Sequence, residues 1–284
     1  MAAMQCFRDG LALSRRIGHR VMMQVFINCL GYSGFLIGDW DAALAEMDGA
    51  LAEDIDPARR TWILSNELII RTSRGESVTE GIAELDRLVA LEHDPLTATA
   101  PLDTKAFAAL AEGRFDDAQR YWVECAEAWP RQAPECYYKA GRAALWARDA
   151  DALLRCRDGL DATGFHGPVA EARRMTLNAG IAALEGRERE ALAGYLEALR
   201  AWRDLRIAWE EALTGLDMAT VLDPELPEVR AIARTTREIL ERLRARPYLE
   251  RLDAAMARGT AGHVAAHGAA VGVQTSASMV SGGK

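Results

Sequence analysis

Proline is scarce in this chain. There are nine in 284 residues, and Pro57, Pro95, Pro134 and Pro168 fall between apolar-periodic segments rather than inside them. So few breakers leave long stretches free to be helical. An excess of positive charge is also missing. The net charge is −8, which excludes a body built to neutralise nucleic-acid phosphates. Only 228–258, with eight Arg against five Asp or Glu, is mildly basic, a pattern typical of solvated helix surface. The five cysteines, Cys6, Cys29, Cys125, Cys136 and Cys156, form no C-x-x-C pair. They are expected to be buried free thiols of a reducing compartment. Arg8 and Asp9 interrupt any secretory apolar run, so the expected location is cytoplasmic. The stretch 21–38 has no charge, but Gln24, Asn28, Gly31, Ser33 and Gly34 mark it as a buried helix rather than a membrane span.

Motifs of chemistry are missing too. No Ser sits in a G-x-S-x-G elbow. The final Ser281-Gly282-Gly283-Lys284 lacks the spacing of a P-loop. His263 and His267 are spaced like zinc ligands, but Val264 stands where the general-base Glu of that motif belongs. His19, His93 and His166 fall near expected helix ends. Cys125 and Cys136, eleven apart, are expected on facing helices as structural thiols. No catalytic, metal or cofactor residue is expected, and the chain reads as a non-enzyme.

What the sequence does contain is a repeat. Turn-like stretches recur at 38, 75, 113, 147 and 186, spaced 37, 38, 34 and 39. Five residues after the turn a small residue returns: Ala43, Ala118, Ala152 and Ala191. Nine after it comes a larger one: Met47, Trp122, Cys156 and Tyr195. Seven before it the residue is again small: Gly31, Ala106, Ala140 and Ala179. The unit at Gly75 fits with a one-residue slip, to Gly81 and Leu85. Small residues let two helices approach, and the bulky one fills the space beside them. Helix pairs are therefore expected at 3–17 with 20–37, 39–53 with 57–74, 78–92 with 96–112, 115–129 with 134–147, 150–162 with 168–185 and 188–204 with 206–221. A helix at 228–244 follows, then a capping helix at 248–257 that docks Leu249 and Leu252 and turns Arg251 and Arg258 to water. The repeat domain spans 1–257, and 258–284 reads as a disordered low-complexity tail. The first helix opens with no polar cap, so the chain is expected to be the C-terminal part of something longer.

The segments Leu36-Ile37-Gly38-Asp39-Trp40-Asp41-Ala42-Ala43-Leu44 and Ala111-Glu112-Gly113-Arg114-Phe115-Asp116-Asp117-Ala118 resemble tetratricopeptide (TPR) units. The ending Leu243-Arg244-Ala245-Arg246-Pro247-Tyr248-Leu249-Glu250-Arg251-Leu252 resembles the last helices of large bacterial signalling proteins. These are adenylate/guanylate cyclases fused to a P-loop ATPase, and the large LuxR-type transcriptional regulators. The resemblance covers about 1–257 and implies an all-α fold, a right-handed superhelical solenoid of TPR-like antiparallel helix pairs. It implies a sensor or interaction arm, with the ATPase or cyclase region of the same parent as one partner. A free-standing TPR adaptor is the alternative. No functional residue of the ATPase, cyclase or DNA-binding domains maps here, and neither nucleic acid nor membrane is an expected partner.

A TPR solenoid binds on its concave face, and the expected ligand there is a peptide, a protein or a small effector. The repeat phase places Asn28, Tyr32, Trp62, Ser65, Thr72, Phe107, Tyr137, Arg173 and Thr176 toward it. Aromatics there serve as anchors, so the rings of Trp62, Phe107 and Tyr137 are expected on one wall, partly exposed. The positions that hold Lys and Asn in carboxylate-clamping TPR domains carry Asn28, Ser65, Asp103, Tyr137 and Thr176, without a Lys.

Overall fold

The computed structural model describes residues 2–91 and 95–258. His93, His263, His267 and the expected tail from 259 onward lie outside them. Every regular element among the described residues is an α-helix. In chain order these are α1 Ala2–Ile17, α2 Arg20–Ile37, α3 Trp40–Leu51, α4 Pro57–Ser73, α5 Thr79–Leu91, α6 Pro95–Ala111, α7 Phe115–Ala128, α8 Ala133–Ala147, α9 Ala150–Ala162, α10 Pro168–Leu184, α11 Glu188–Leu205, α12 Ala208–Val221 and α13 Pro227–Leu243. A last helix, α14, spans 246–258.

Local chemistry sets the ends. Asp56 and Asp149 accept from the backbone N–H three residues on, and the His19 ring does the same for Met22. Pro57, Pro168 and Pro227 stand in first turns, where a missing N–H costs nothing. The repeat turns at Gly38, Gly75, Gly113 and Gly186 are left-handed. The fourth turn falls on Arg148 (φ 59°) rather than on 147. A left-handed arginine costs about 1–2 kcal/mol, and a hydrogen bond from its guanidinium to the Thr220 carbonyl offsets part of that.

The small and large positions of the repeat are where helices touch. Ala43, Ala118, Ala152 and Ala191 are buried, and so are Met47, Trp122, Cys156 and Tyr195. A Cβ added to Gly31 would lie 2.5 Å from the Met47 sulfur, and one added to Gly81 equally close to Leu68. Ala191→Trp should therefore force α11 off α10 and destabilise the chain by about 3 kcal/mol. Urea unfolding of the variant beside the wild type measures this, and an unchanged midpoint would refute the contact.

The helices sort into two sets. The even helices α2 to α12 carry nearly all of the buried polar side chains, and the odd helices pack outside them. A helix lining an open groove must expose one face. Residues 63–70 of α4, 138–146 of α8 and 212–220 of α12 are instead buried without interruption. These helices are enclosed on every side, so the expected concave groove is filled along them.

The chain also closes on itself. Trp209 at the start of α12 packs on Phe35 and Trp40, with centroids 5.3 and 5.1 Å away. Arg74 donates to the Leu243 carbonyl at 3.2 Å, Arg242 donates to the Gly38 carbonyl at 3.3 Å, and Arg244 pairs with Asp41. Helix α14 then crosses the ends of the inner helices. Pro247 lies against Gly75, Tyr248 against Trp146 and Trp209, and Arg258 on the carbonyls of Ala219 and Thr220. Leu252 is buried as expected. Arg251 does not face water: its guanidinium sits over the Phe115 and Trp146 rings, 4.3 Å from each centroid. The aromatic surface that α14 covers draws in the cation as well as the leucine. Among the described residues only α2 is long and apolar enough to cross a membrane, and it packs against α1, α3, α4 and α12.

Candidate functional site: the ionic centre and the surfaces around it

Two linked clusters of charge occupy the interior, both organised by α8. In the first, Lys139 reaches Glu135 one turn earlier at 2.6 Å and Asp103 of α6 at 3.2 Å. The Trp122 indole donates to Asp103 at 2.7 Å, and the Tyr32 hydroxyl donates to Glu135 at 2.5 Å. Arg173 lies 3.5 Å from the other Glu135 oxygen, and the Lys139 ammonium stands over the Phe107 ring. In the second, Arg142 donates to Asp217 and Glu210 of α12, at 2.9 Å each. Tyr138 donates to Glu210 at 2.8 Å, and the Trp146 indole donates to Asp217 at 2.7 Å. Arg173 joins the two clusters by standing over the Tyr138 ring.

Burial works against the charges of Glu135, Lys139, Arg142 and Asp217, and their ion-pair partners oppose it. Asp103 and Glu135 hold Lys139 well above its ordinary pKa despite desolvation. Asp217 and Glu210 do the same for Arg142. Desolvation raises Asp217, with Arg142 opposing it. Burial likewise resists ionisation of Glu135, but Lys139 and Arg173 bring its pKa down to about 2 from 4.5.

A carboxylate depressed in the folded state lends stability above its unfolded pKa, and that stability is lost as pH falls through the folded value. The window for Glu135 is therefore between pH 4.5 and about 2. Its side chain keeps 26% of its surface exposed, so screening reduces the contribution to about 1–2 kcal/mol. Glu135→Gln should flatten the acid limb of a melting-temperature profile. A variant as acid-sensitive as the wild type would exclude Glu135 as the source.

Of the residues the repeat phase placed toward the inner face, several do meet there. Tyr32 and Arg173 converge on Glu135. Asn28 accepts from the Asn66 amide at 2.8 Å, Ser65 shares a hydrogen bond with Thr104, and Thr176 accepts from the Trp202 indole. Thr72 is buried on α4. Phe107 is 2% exposed, locked edge-on between Phe35 and Trp122, and so is a core residue unavailable to a partner. Tyr137 of α8 is half-buried and packs against α9, within 3.0 Å of where a Cβ on Gly159 would stand. The residue that faces the centre is its neighbour Tyr138. Trp62 is half-buried on α4. The three rings do not form one exposed wall.

No protein-family model matches the chain, and no curated protein matches it. Function is therefore read from the geometry. The acids Asp103, Glu135, Glu210 and Asp217 already accept from a cation, a hydroxyl or an indole. Among the described residues no group of three His, Cys, Asp or Glu is placed to hold a metal ion. Cys125 and Cys136 face each other across α7 and α8 with sulfurs 3.2 Å apart. Cys156 is also buried, whereas Cys6 is exposed and Cys29 half-buried, so only three of the five thiols are enclosed.

The surface carries two features the repeat phase did not indicate. A cavity of about 500 Å³ opens between α2 and α3, lined by Met23, Ile27, Ala45, Ala50 and Ile55, with the Arg15–Glu46 ion pair at its edge. Nearby, the first hairpin exposes Leu13, Ile17, Val21 and Val25, four of the six large hydrophobic side chains exposed among the described residues. Their period along α1 and α2, four residues in each case, was present in the sequence as a signal for a second apolar stripe.

Proposed function

We propose that the chain is the interaction or regulatory arm of a bacterial signalling ATPase, cyclase or transcription regulator, built from TPR-like helix pairs. Its apolar first hairpin is the surface on which a helical segment of the same parent protein stacks. The observation that carries this reading is the exposed aliphatic set Leu13, Ile17, Val21 and Val25. In a stack of helix pairs each pair covers the apolar face of the next. An uncovered aliphatic face on a terminal pair fits another helix pair. The cleft between α2 and α3 offers a second wall beside it. The resemblance of the 243–252 ending supports the signalling context, and the mutual pairing of the interior charges supports binding over catalysis.

The test is a photo-crosslinking residue at position 17 in the intact parent protein, with crosslinked peptides identified by mass spectrometry. The expected product joins position 17 to a helical segment of the same chain with an apolar face. Leu13→Asp with Val21→Asp, with the crosslinker kept at position 17, should abolish it. Leu13 and Val21 are 47% and 43% exposed, so each change should alter stability by no more than about 0.5 kcal/mol. Crosslinks to a separate protein would favour the free-standing adaptor, and their absence would overturn the surface altogether.

A further inference from the structure

Between α14 and the turn joining α6 to α7 lies a cavity of about 170 Å³. Phe115, Trp146, Pro247, Tyr248 and Arg251 form much of its wall. The two rings beneath the Arg251 guanidinium steady its charge but accept none of its N–H groups. Its Nε is buried with no acceptor. The acid that acts on its charge, Asp217, is already held by Arg142. Burial draws the Arg251 pKa down to about 10, Asp217 opposes that, and the neighbouring Arg258 pushes the same way as burial. The guanidinium is a cation without a counter-ion.

Two hydroxyls lie nearby, those of Tyr248 and Ser73. They are buried within reach of each other, and neither has any other polar partner. The carboxylate on the cavity wall, Glu112, is taken by Arg114 at 2.6 Å. Buried donors are nearly always satisfied, and a half-buried cation is costly without a negative partner. A water molecule would accept a hydrogen bond from these groups but would leave the charge uncompensated.

We propose that this cavity binds a small oxoanion, a carboxylate or phosphate group, which accepts hydrogen bonds from Arg251 and from the Tyr248 hydroxyl. Such a ligand touches the cap α14 on one side and the α6–α7 turn on the other. Binding therefore fastens the cap across the ends of the inner helices, and the anion acts as an effector of chain closure. This site is independent of the surface on the first hairpin, and either stands if the other fails.

The group has two sources, a free small anion or the C-terminal carboxylate of a partner peptide. Thermal unfolding of the full chain at constant ionic strength separates them. Chloride is replaced in turn by inorganic phosphate, by acetate, and by a short peptide with either a free or an amidated C-terminus. At least one oxoanion should give a saturable rise of several degrees, because a ligand of the folded state alone stabilises by mass action. A rise with acetate or phosphate assigns a free anion. A rise with the acid peptide alone, absent with its amide, assigns a partner's terminus. Arg251→Met keeps the apolar stem on the rings and should abolish the rise, without lowering the melting temperature of the ligand-free chain. Tyr248→Phe should weaken the apparent affinity about tenfold, the size of one lost hydrogen bond, and serves as the second variant if Arg251→Met does not fold. Equal responses in wild type and both variants would mean a general salt effect and would overturn the site. So would the absence of a saturable response to all of the anions.

Discussion

Arg142→Met should lower the unfolding free energy by about 3–5 kcal/mol, the usual cost of removing one partner from a buried ion pair. Arg142 and Asp217 are 2% and 1% exposed, so solvent cannot replace what is lost. The methionine fills much of the same space, but Asp217 keeps only its indole donor and Glu210 only the Tyr138 hydroxyl. Burial already raises the pKa of Asp217, and removing Arg142, which opposes that rise, should raise it further. The variant's instability should then ease as pH falls, opposite in sign to the Glu135 effect. Urea denaturation at two pH values tests both parts. A companion variant with Arg142→Met, Asp217→Asn and Glu210→Gln should recover most of the loss, because no buried charge is left uncompensated. If the single variant matched the wild type, the α8–α12 contact would not be an ion pair at all.

The helices and their pairing were legible in the sequence because both rest on short-range signals. The turn glycines and the small and large positions each report a contact between neighbours about ten to twenty residues apart. Gly31 against Met47 and Gly34 against Ala43 are examples. The way the pairs curve was not legible. It depends on Leu243 reaching Gly38 and Pro247 reaching Gly75, contacts between residues more than 150 positions apart, for which a local period carries no information. The ionic centre was hidden for a related reason. Glu135, Lys139, Arg142, Glu210 and Asp217 read as solvated helix surface until a second and a third helix cover them. Asp103 was the one acid the repeat phase placed inward, because it occupies a binding position in the TPR pattern. A phase error of a single residue then chose Tyr137 over Tyr138. One step along a helix turns the side chain by 100°, enough to move a tyrosine from the centre onto α9.

Trp209→Ala should cost about 3–5 kcal/mol, the range for deleting a large buried aromatic, and the loss should appear in two distant parts of the sequence at once. The Trp209 ring touches Phe35 and Trp40 on one side and Tyr248 on the other, the last at 4.9 Å and nearly perpendicular. It therefore joins α2 and α3 to α12 and α14. In an open stack the same residue would meet only its sequence neighbours, and its removal would loosen α11 to α13 alone. Closure predicts instead that amide hydrogen exchange accelerates together in α2, in α3 and in 246–258, while α5 and α9, remote from the ring, keep their protection. Stability is not uniform along a chain, and exchange resolves which segments open as a unit. Trp209→Phe provides the control, since a smaller ring should keep part of both contacts and lose less. Faster exchange confined to α11–α13 would show that the two ends of the chain do not meet in solution. The oxoanion cavity beneath α14 would then lose its wall as well, because Tyr248 and Arg251 reach it only while the cap is docked.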